Sequence, residues 1–221
     1  MEFRRARSAE QVEVRRASIL AAAEALLAEH PLAGISLREL SCRVGLAKSN
    51  VLRYFDSREA VFLEVLDRRW SAWLDEAEPL VRGTRPEPVP YGRAIAAATA
   101  LAGSLPRHPL LCELVANAAG VLERNVGPAA ALAFKSRADA HTSRLAELVR
   151  GELPQLDDAA ARHFAGAVLA LTAGLWPHAH PTGAVAAAGA ELGHPPPAEA
   201  FAAALTESLV NQLIGLVVRA S

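Results

Sequence analysis

The sequence predicts an all-α protein, and three observations carry that prediction. Ala is used heavily, hydrophobic residues make up 52% of the 221 and aromatics only 5%. Apolar residues recur at i, i+3, i+4 and i+7 through most of the chain. The periodic segments are separated by Pro and Gly, while β-branched or aromatic runs of strand character are scarce. A chain of this length has an adequate core for one or two domains.

Taken in order, residues 1–12 carry Arg4, Arg5 and Arg7 without apolar periodicity and are expected to form a flexible basic arm. A first helix is expected from Val12 to His30, with Ile19, Ala23, Leu26 and Leu27 inward and Pro31 closing it. A second starts at Leu37, where Ser36 and Glu39 have the spacing of a capping box. Leu37, Leu40 and Val44 form its inner face, and Gly45 stands where the backbone needs φ > 0. A third helix of about two turns follows, with Val51, Leu52 and Phe55 expected inward and Lys48, Ser49, Asn50, Arg53 and Tyr54 outward. Two short helices around a glycine turn have the geometry of a helix-turn-helix, whose second helix enters the DNA major groove.

The fourth helix begins after Ser57 and buries Phe62, Val65, Leu66, Trp70, Trp73 and Leu74, with Pro79 expected to end it. The Pro-rich stretch 79–90 reads as a loop. Further helices are expected to about Ser104, from Leu110 to Glu123, from Pro128 to about Arg150, and from Asp157 to Pro177. Residues 177–197 read as a long loop with room for a short helical turn at Ala184–Glu191, before a last helix from Ala198 to Ala220. That makes nine helices in all.

Residues 13–66 resemble the N-terminal domain of the TetR family of bacterial transcription regulators. The matching pieces run in order: Arg16, Ile19-Leu20 and Ala22-Ala23; Gly34 to Leu40; Val44 to Lys48; Val51 to Phe55; and Asp56 to Phe62. Two positions depart from the family's habit, Leu52 where Tyr is frequent and Ser49 where Gly is frequent. The resemblance implies a nine-helix architecture with a helix-turn-helix domain at 13–58, a connecting helix at 59–78, and an effector-binding and dimerisation domain at 79–221. It implies a homodimer whose last two helices form a four-helix bundle with the partner, with Leu209, Leu213, Leu216 and Val217 at the interface. It also implies an effector pocket, for which Tyr91, His108, Leu111, Cys112, Phe134, His141, Phe164 and Trp176 are candidates. The Ala-rich helices suit an apolar small molecule.

For DNA, Lys48, Ser49, Asn50 and Arg53 are the candidates near base edges or phosphates, because Asn pairs bidentately with adenine and Arg with guanine. The resemblance implies phosphate contacts for Tyr54 and Arg58, Ser36 and Arg38 are expected on the sugar-phosphate backbone as well, and Arg15 and Arg16 lie close to it. Residues 1–60 hold 10 Lys and Arg against 8 Asp and Glu, so affinity has to come from placed contacts rather than a bulk basic field.

The two cysteines have no metal-like spacing and read as reduced, buried filler in a cytoplasmic protein. His178, His180 and His194 lack the partners of a zinc site, so no metal and no cofactor is expected. No catalytic residue is expected either, since nucleophile-elbow, zincin, phosphate-loop and dinucleotide motifs are absent. No run of about 18 uncharged apolar residues suggests a membrane span, and the first residues lack the apolar core of a secretory signal. The function expected is a palindrome-binding repressor released by an effector. The alternative is a DNA-binding regulator without a small-molecule effector, controlled by a partner protein or by its own concentration.

Overall fold

The structure, a computed structural model, describes the backbone from Glu2 to Ala220 and the side chains of residues 10–220. It contains ten α-helices among the described residues: α1 (Glu2–Glu29), α2 (Leu37–Val44), α3 (Lys48–Val51), α4 (Arg58–Arg82), α5 (Gly92–Ser104), α6 (Pro109–Ala118), α7 (Pro128–Glu152), α8 (Asp158–Ala179), α9 (Gly183–Glu191) and α10 (Pro197–Ala220). There is no strand among these residues. The chain divides into two compact units within α4, residues 1–68 with 117–136, and residues 69–116 with 137–221.

In the first unit, α1 runs well upstream of the expected Val12 start. Residues 2–11 are mainly Glu, Arg, Ala and Gln, all good helix formers, with no Gly or Pro to stop them. The side chains of Arg4, Arg5 and Arg7 lie outside the described residues. Ile19, Leu20, Ala23 and Leu26 of α1 are buried, as are Leu40, Val51, Phe55, Val61 and Phe62 of the segments that follow.

The capping box closes as the spacing predicts. Glu39 N–H donates to Ser36 Oγ at 3.1 Å, and Ser36 N–H donates to Glu39 Oε2 at 2.6 Å. Gly45 adopts φ 73°, a left-handed conformation that a Cβ would strain, and so turns the chain from α2 toward α3. Ser36→Ala is expected to cost about 1 kcal/mol, read as a lower urea midpoint. The hydrogen bonds from Ser36 also hold the Glu39 carboxyl below its usual range. A carboxyl with a depressed folded pKa stabilises the fold above its unfolded pKa, and that contribution fades as pH falls through the folded value. Because the alanine variant keeps the backbone N–H that is the larger cause, wild type and Ser36→Ala should both lose this contribution as pH falls below about 4.

In the second unit, α10 packs against α5 and α8. Phe201, Leu205, Leu209, Leu213, Leu216 and Val217 form its buried stripe. This helix is long and apolar enough to cross a membrane by composition alone, but here that stripe fills a protein core. Trp73 of α4 is fully buried and donates its indole N–H to Ser104 Oγ of α5 at 2.8 Å. Arg144 of α7 pairs with Asp75 (2.8 Å) and Glu78 (3.1 Å) of α4.

Three boundaries differ from expectation. Helix α4 continues through Pro79 to Arg82: a proline removes one hydrogen bond, while Ala77 and Val81 on either side remain fully buried. Helix α6 stops at Ala118, and a separate 3-10 turn forms at Leu122–Asn125. The tenth helix, α9, fills the stretch where the sequence offered only a short helical turn within a loop. Its sequence, G-A-V-A-A-A-G-A-E, has high alanine propensity but no amphipathic period. None of its residues is buried, so burial periodicity could not announce it.

Candidate nucleic-acid interface

Helix α3 is a single α turn held by its own backbone. Asn50 N–H and Val51 N–H donate to the Ala47 carbonyl at 2.8 and 3.2 Å, and Leu52 N–H to the Lys48 carbonyl at 3.1 Å. Tyr54 and Phe55 N–H both donate to the Val51 carbonyl, carrying the turn on as far as Phe55. Val51 and Phe55 are buried and anchor it. Lys48, Ser49, Asn50 and Arg53 are exposed, and Tyr54 is half-buried. Leu52 differs from expectation and faces solvent. Its position one residue after Val51 already takes it off the face shared by Val51 and Phe55.

The cations on and around the helix-turn-helix sort into two groups by their partners. Arg16 donates Nη1 to the Tyr54 carbonyl at 2.6 Å, pairs with Glu64, and lies 4.3 Å over the Phe55 ring. It ties α1 to the end of the α3 turn and to α4, so it is a structural clamp rather than a free phosphate ligand. Arg43 pairs with Glu29, which raises the Arg43 pKa and lowers that of Glu29. Arg58 pairs with Glu59 at 3.0 Å and donates to the Ile35 carbonyl, bracing the segment that enters α2. Its guanidinium is thus engaged within the unit. Arg38, Lys48 and Arg53 make no ion pair among the described residues and are exposed on α2 and the α3 turn. Ser36 Oγ accepts its capping bond and lies beside the Glu39 carboxylate, at the exposed entry to α2.

Such a face can do two things at once. Cations and a hydroxyl can pair with phosphates and set the register, while Asn and Arg can read base edges through paired hydrogen bonds. The described residues contain no group of three or more His, Cys, Asp or Glu arranged to hold a metal ion.

The pocket candidates do not converge on one place. Leu111, Cys112, Phe164 and Trp176 are buried in the second unit, whereas Phe134 is buried in the first. Tyr91 is exposed, with φ 60° as the residue before α5. The next residue, Gly92, passes so close to the Glu87 carbonyl oxygen that a Cβ there would lie 2.2 Å from it. His108 Nε2 stands 3.2 Å from Glu76 Oε2, but without the alignment of a hydrogen bond. His141 lies against Trp70 with ring centroids 5.2 Å apart. Trp176 donates its indole N–H to Glu113 at 3.1 Å and meets Phe201 edge-on.

Two clefts of this unit lie elsewhere. One of about 650 Å³ is lined by Pro177, His178, Val185, Ala190, His194 and Pro197 among others. One of about 440 Å³ lies between Arg85, Glu87 and Val89 on one side and Ile95, Ala96 and Thr99 on the other.

The interface candidates Leu209, Leu213, Leu216 and Val217 also need correction. All four are buried within the protomer, because the stripe they form is the one α10 turns toward α5 and α8. The face of α10 left in solvent or half-buried carries Ala203, Val210, Ile214 and Val218, and that of α8 carries Gly166, Ala170 and Gly174.

The cysteines split as well. Cys42 is exposed, contrary to the expectation of buried filler, whereas Cys112 is buried and donates its thiol to the Leu105 carbonyl at 3.4 Å. Burial pushes the Cys112 thiol up to about 12. One thiol is therefore expected to react rapidly with a disulfide reagent at pH 8, and the second only on unfolding. Two fast thiols would contradict the burial of Cys112.

Known proteins agree with this geometry. Residues 19–65 match the family described as bacterial regulatory proteins, tetR family, and residues 67–220 match the tetracyclin repressor-like C-terminal domain. The HTH-type transcriptional regulator EthR of Mycobacterium tuberculosis is 46% identical over 54 residues, which span 24% of this chain and only 25% of EthR. Among solved structures, FadR of Bacillus subtilis in complex with stearoyl-CoA superposes with a TM-score of 0.55 at 13% identity, over 89% of this chain and 96% of that one. FadR of Bacillus halodurans gives 0.53 at 15% identity over 90% and 97%, and the repressor AlkX of Dietzia gives 0.53 at 13% over 91% and 96%. At these identities the superpositions speak for the fold alone. With both family domains matched in order over almost the whole chain, and a helix-turn-helix at its N-terminal end, the protein belongs to the TetR family of DNA-binding transcriptional regulators.

Proposed function

We propose that the protein is a homodimeric repressor that binds a two-fold symmetric operator and is released from it by an apolar small molecule. The observation that carries the DNA half is the sorting of cations in the first unit. Arg16 and Arg58 are engaged by part-buried partners and Arg43 by the surface Glu29, while Arg38, Lys48 and Arg53 stand exposed without an ion pair among the described residues, around Ser49 and Asn50. Unpaired cations beside an amide and a hydroxyl on a helix-turn-helix suit a phosphate-bordered base edge. Two such heads would enter major grooves about one helical turn apart.

For the dimer, the outer faces of α8 and α10 replace the buried leucines as the contact. Gly166, Ala170 and Gly174 are small enough for close helix approach, and Ala203, Val210, Ile214 and Val218 supply apolar area. For the effector, the support is the Ala-rich, apolar character of the second unit and the passage of α4 through both units as one helix. An effector that changes the distance between the heads would couple to DNA reciprocally. The site of action is the cytoplasm, where bacterial DNA lies.

The test is selection of bound sites from a random duplex pool with the full chain, alongside light scattering. A symmetric motif bound by a dimeric species supports the reading; an asymmetric motif or a monomeric complex overturns it. A thermal-shift screen that includes stearoyl-CoA and free fatty acids then addresses the effector, since a ligand bound to the fold raises stability as RT ln(1 + [L]/Kd). An effector must also displace the operator.

A further inference from the structure

One large apolar side chain stands in solvent within the helix-turn-helix. Leu52 is 41% exposed, while its neighbours Val51 and Phe55 are buried. Its backbone is helical, with φ −66° and ψ −10°, and its N–H donates to the Lys48 carbonyl at 3.1 Å. It therefore lies one turn after Lys48 on the same flank of α3, beside the outward Ser49 and Arg53. A single exposed leucine elsewhere on a protein surface needs no explanation. Here the position matters, because every neighbour on that face has polar chemistry to offer DNA and Leu52 has none.

An isobutyl group can satisfy neither a phosphate oxygen nor a base-edge donor or acceptor. Pressed against either, it would strip water and return no hydrogen bond. The major groove offers an apolar side chain one matching feature, the 5-methyl group of thymine. Burying the two together removes apolar surface from water on both partners. We propose that Leu52 packs against a thymine methyl in each operator half-site, which makes it a specificity-determining residue of this regulator. The proposal rests on the DNA-binding reading of α3 and adds a base preference to it. It is particular to this chain, because Leu52 stands where the family frequently has Tyr, whose hydroxyl would suit a phosphate instead.

The test uses the full chain and the duplex selected by the wild type. Each thymine is replaced in turn, in both half-sites, by deoxyuridine, which deletes the methyl and leaves every hydrogen-bonding group in place. At one symmetric thymine pair the wild type should lose about tenfold in affinity, and Leu52→Ala should lose less than twofold there. A repeat selection with Leu52→Ala should relax the thymine preference at that position and keep the rest of the motif.

Three results overturn the proposal. Wild type could be indifferent to deoxyuridine at every thymine, or Leu52→Ala could keep the full methyl sensitivity. Alternatively, Leu52→Ala could weaken selected and random duplexes equally, which would place the side chain against the sugar-phosphate backbone. If the wild type itself separates no duplex from another, the DNA-binding reading fails first, and that failure is visible before any variant is made.

Discussion

Arg53→Ala is expected to weaken operator binding by about 2–6 kcal/mol, because a bidentate base contact contributes about 1–3 kcal/mol and a symmetric dimer loses two. The exposed Arg53 guanidinium has no ion pair among the described residues, so its removal uncovers no carboxylate and leaves the fold intact. Asn50→Ala should act on the same scale if its amide pairs with adenine. The measurement is fluorescence anisotropy at fixed salt, with the selected duplex and a random one. A base-reading residue loses affinity for the first and not the second. Equal losses on both, with a salt slope lower by about one per contact removed, would reassign the residue to phosphate. Lys48→Ala is expected to behave in that second way.

Trp73→Ala is expected to cost about 3–5 kcal/mol of stability, the range for deleting a large buried aromatic. Against a total of about 5–15 kcal/mol for a folded domain, that is enough to leave the second unit marginal. Trp73 is fully buried and its indole donates to Ser104 Oγ, which in turn donates its own proton to the Leu101 carbonyl at 2.7 Å. The hydroxyl thus accepts from one helix and donates within another. Truncation removes the ring and orphans one lone pair of the serine. Trp73→Phe separates the two effects, since it keeps most of the volume and should cost only about 1–2 kcal/mol. Urea unfolding followed by circular dichroism checks both variants. A loss below 1 kcal/mol for the alanine variant would mean that the core closes over the gap.

Much of the first unit was legible before any coordinates. The Ser36–Glu39 spacing, the glycine at 45 and the inward pair Val51 and Phe55 are local signals, each acting over a few residues. The same holds for the buried face of α4 from Phe62 to Leu74. Local interactions of this kind are encoded in the order of residues, so they survive in a string of letters.

Other features depended on what packs against what. Arg16, Arg53 and Arg58 look alike in the sequence, yet only the fold brings Glu64 and the Tyr54 carbonyl to Arg16, and the Ile35 carbonyl to Arg58. The stripe of Leu209, Leu213, Leu216 and Val217 has a helical period that fits an interface or a core equally well. The packing of α10 on α5 and α8 chose the core. Helix α9 was legible only as a short helical turn within a loop, because it has no buried face to produce a period. The sequence alone determined the helical class, the family and the location of the helix-turn-helix, because these rest on short-range spacing. Tertiary structure decided which cations are engaged by partners within the fold and which apolar faces remain uncovered, because partner choice depends on residues far apart in the chain.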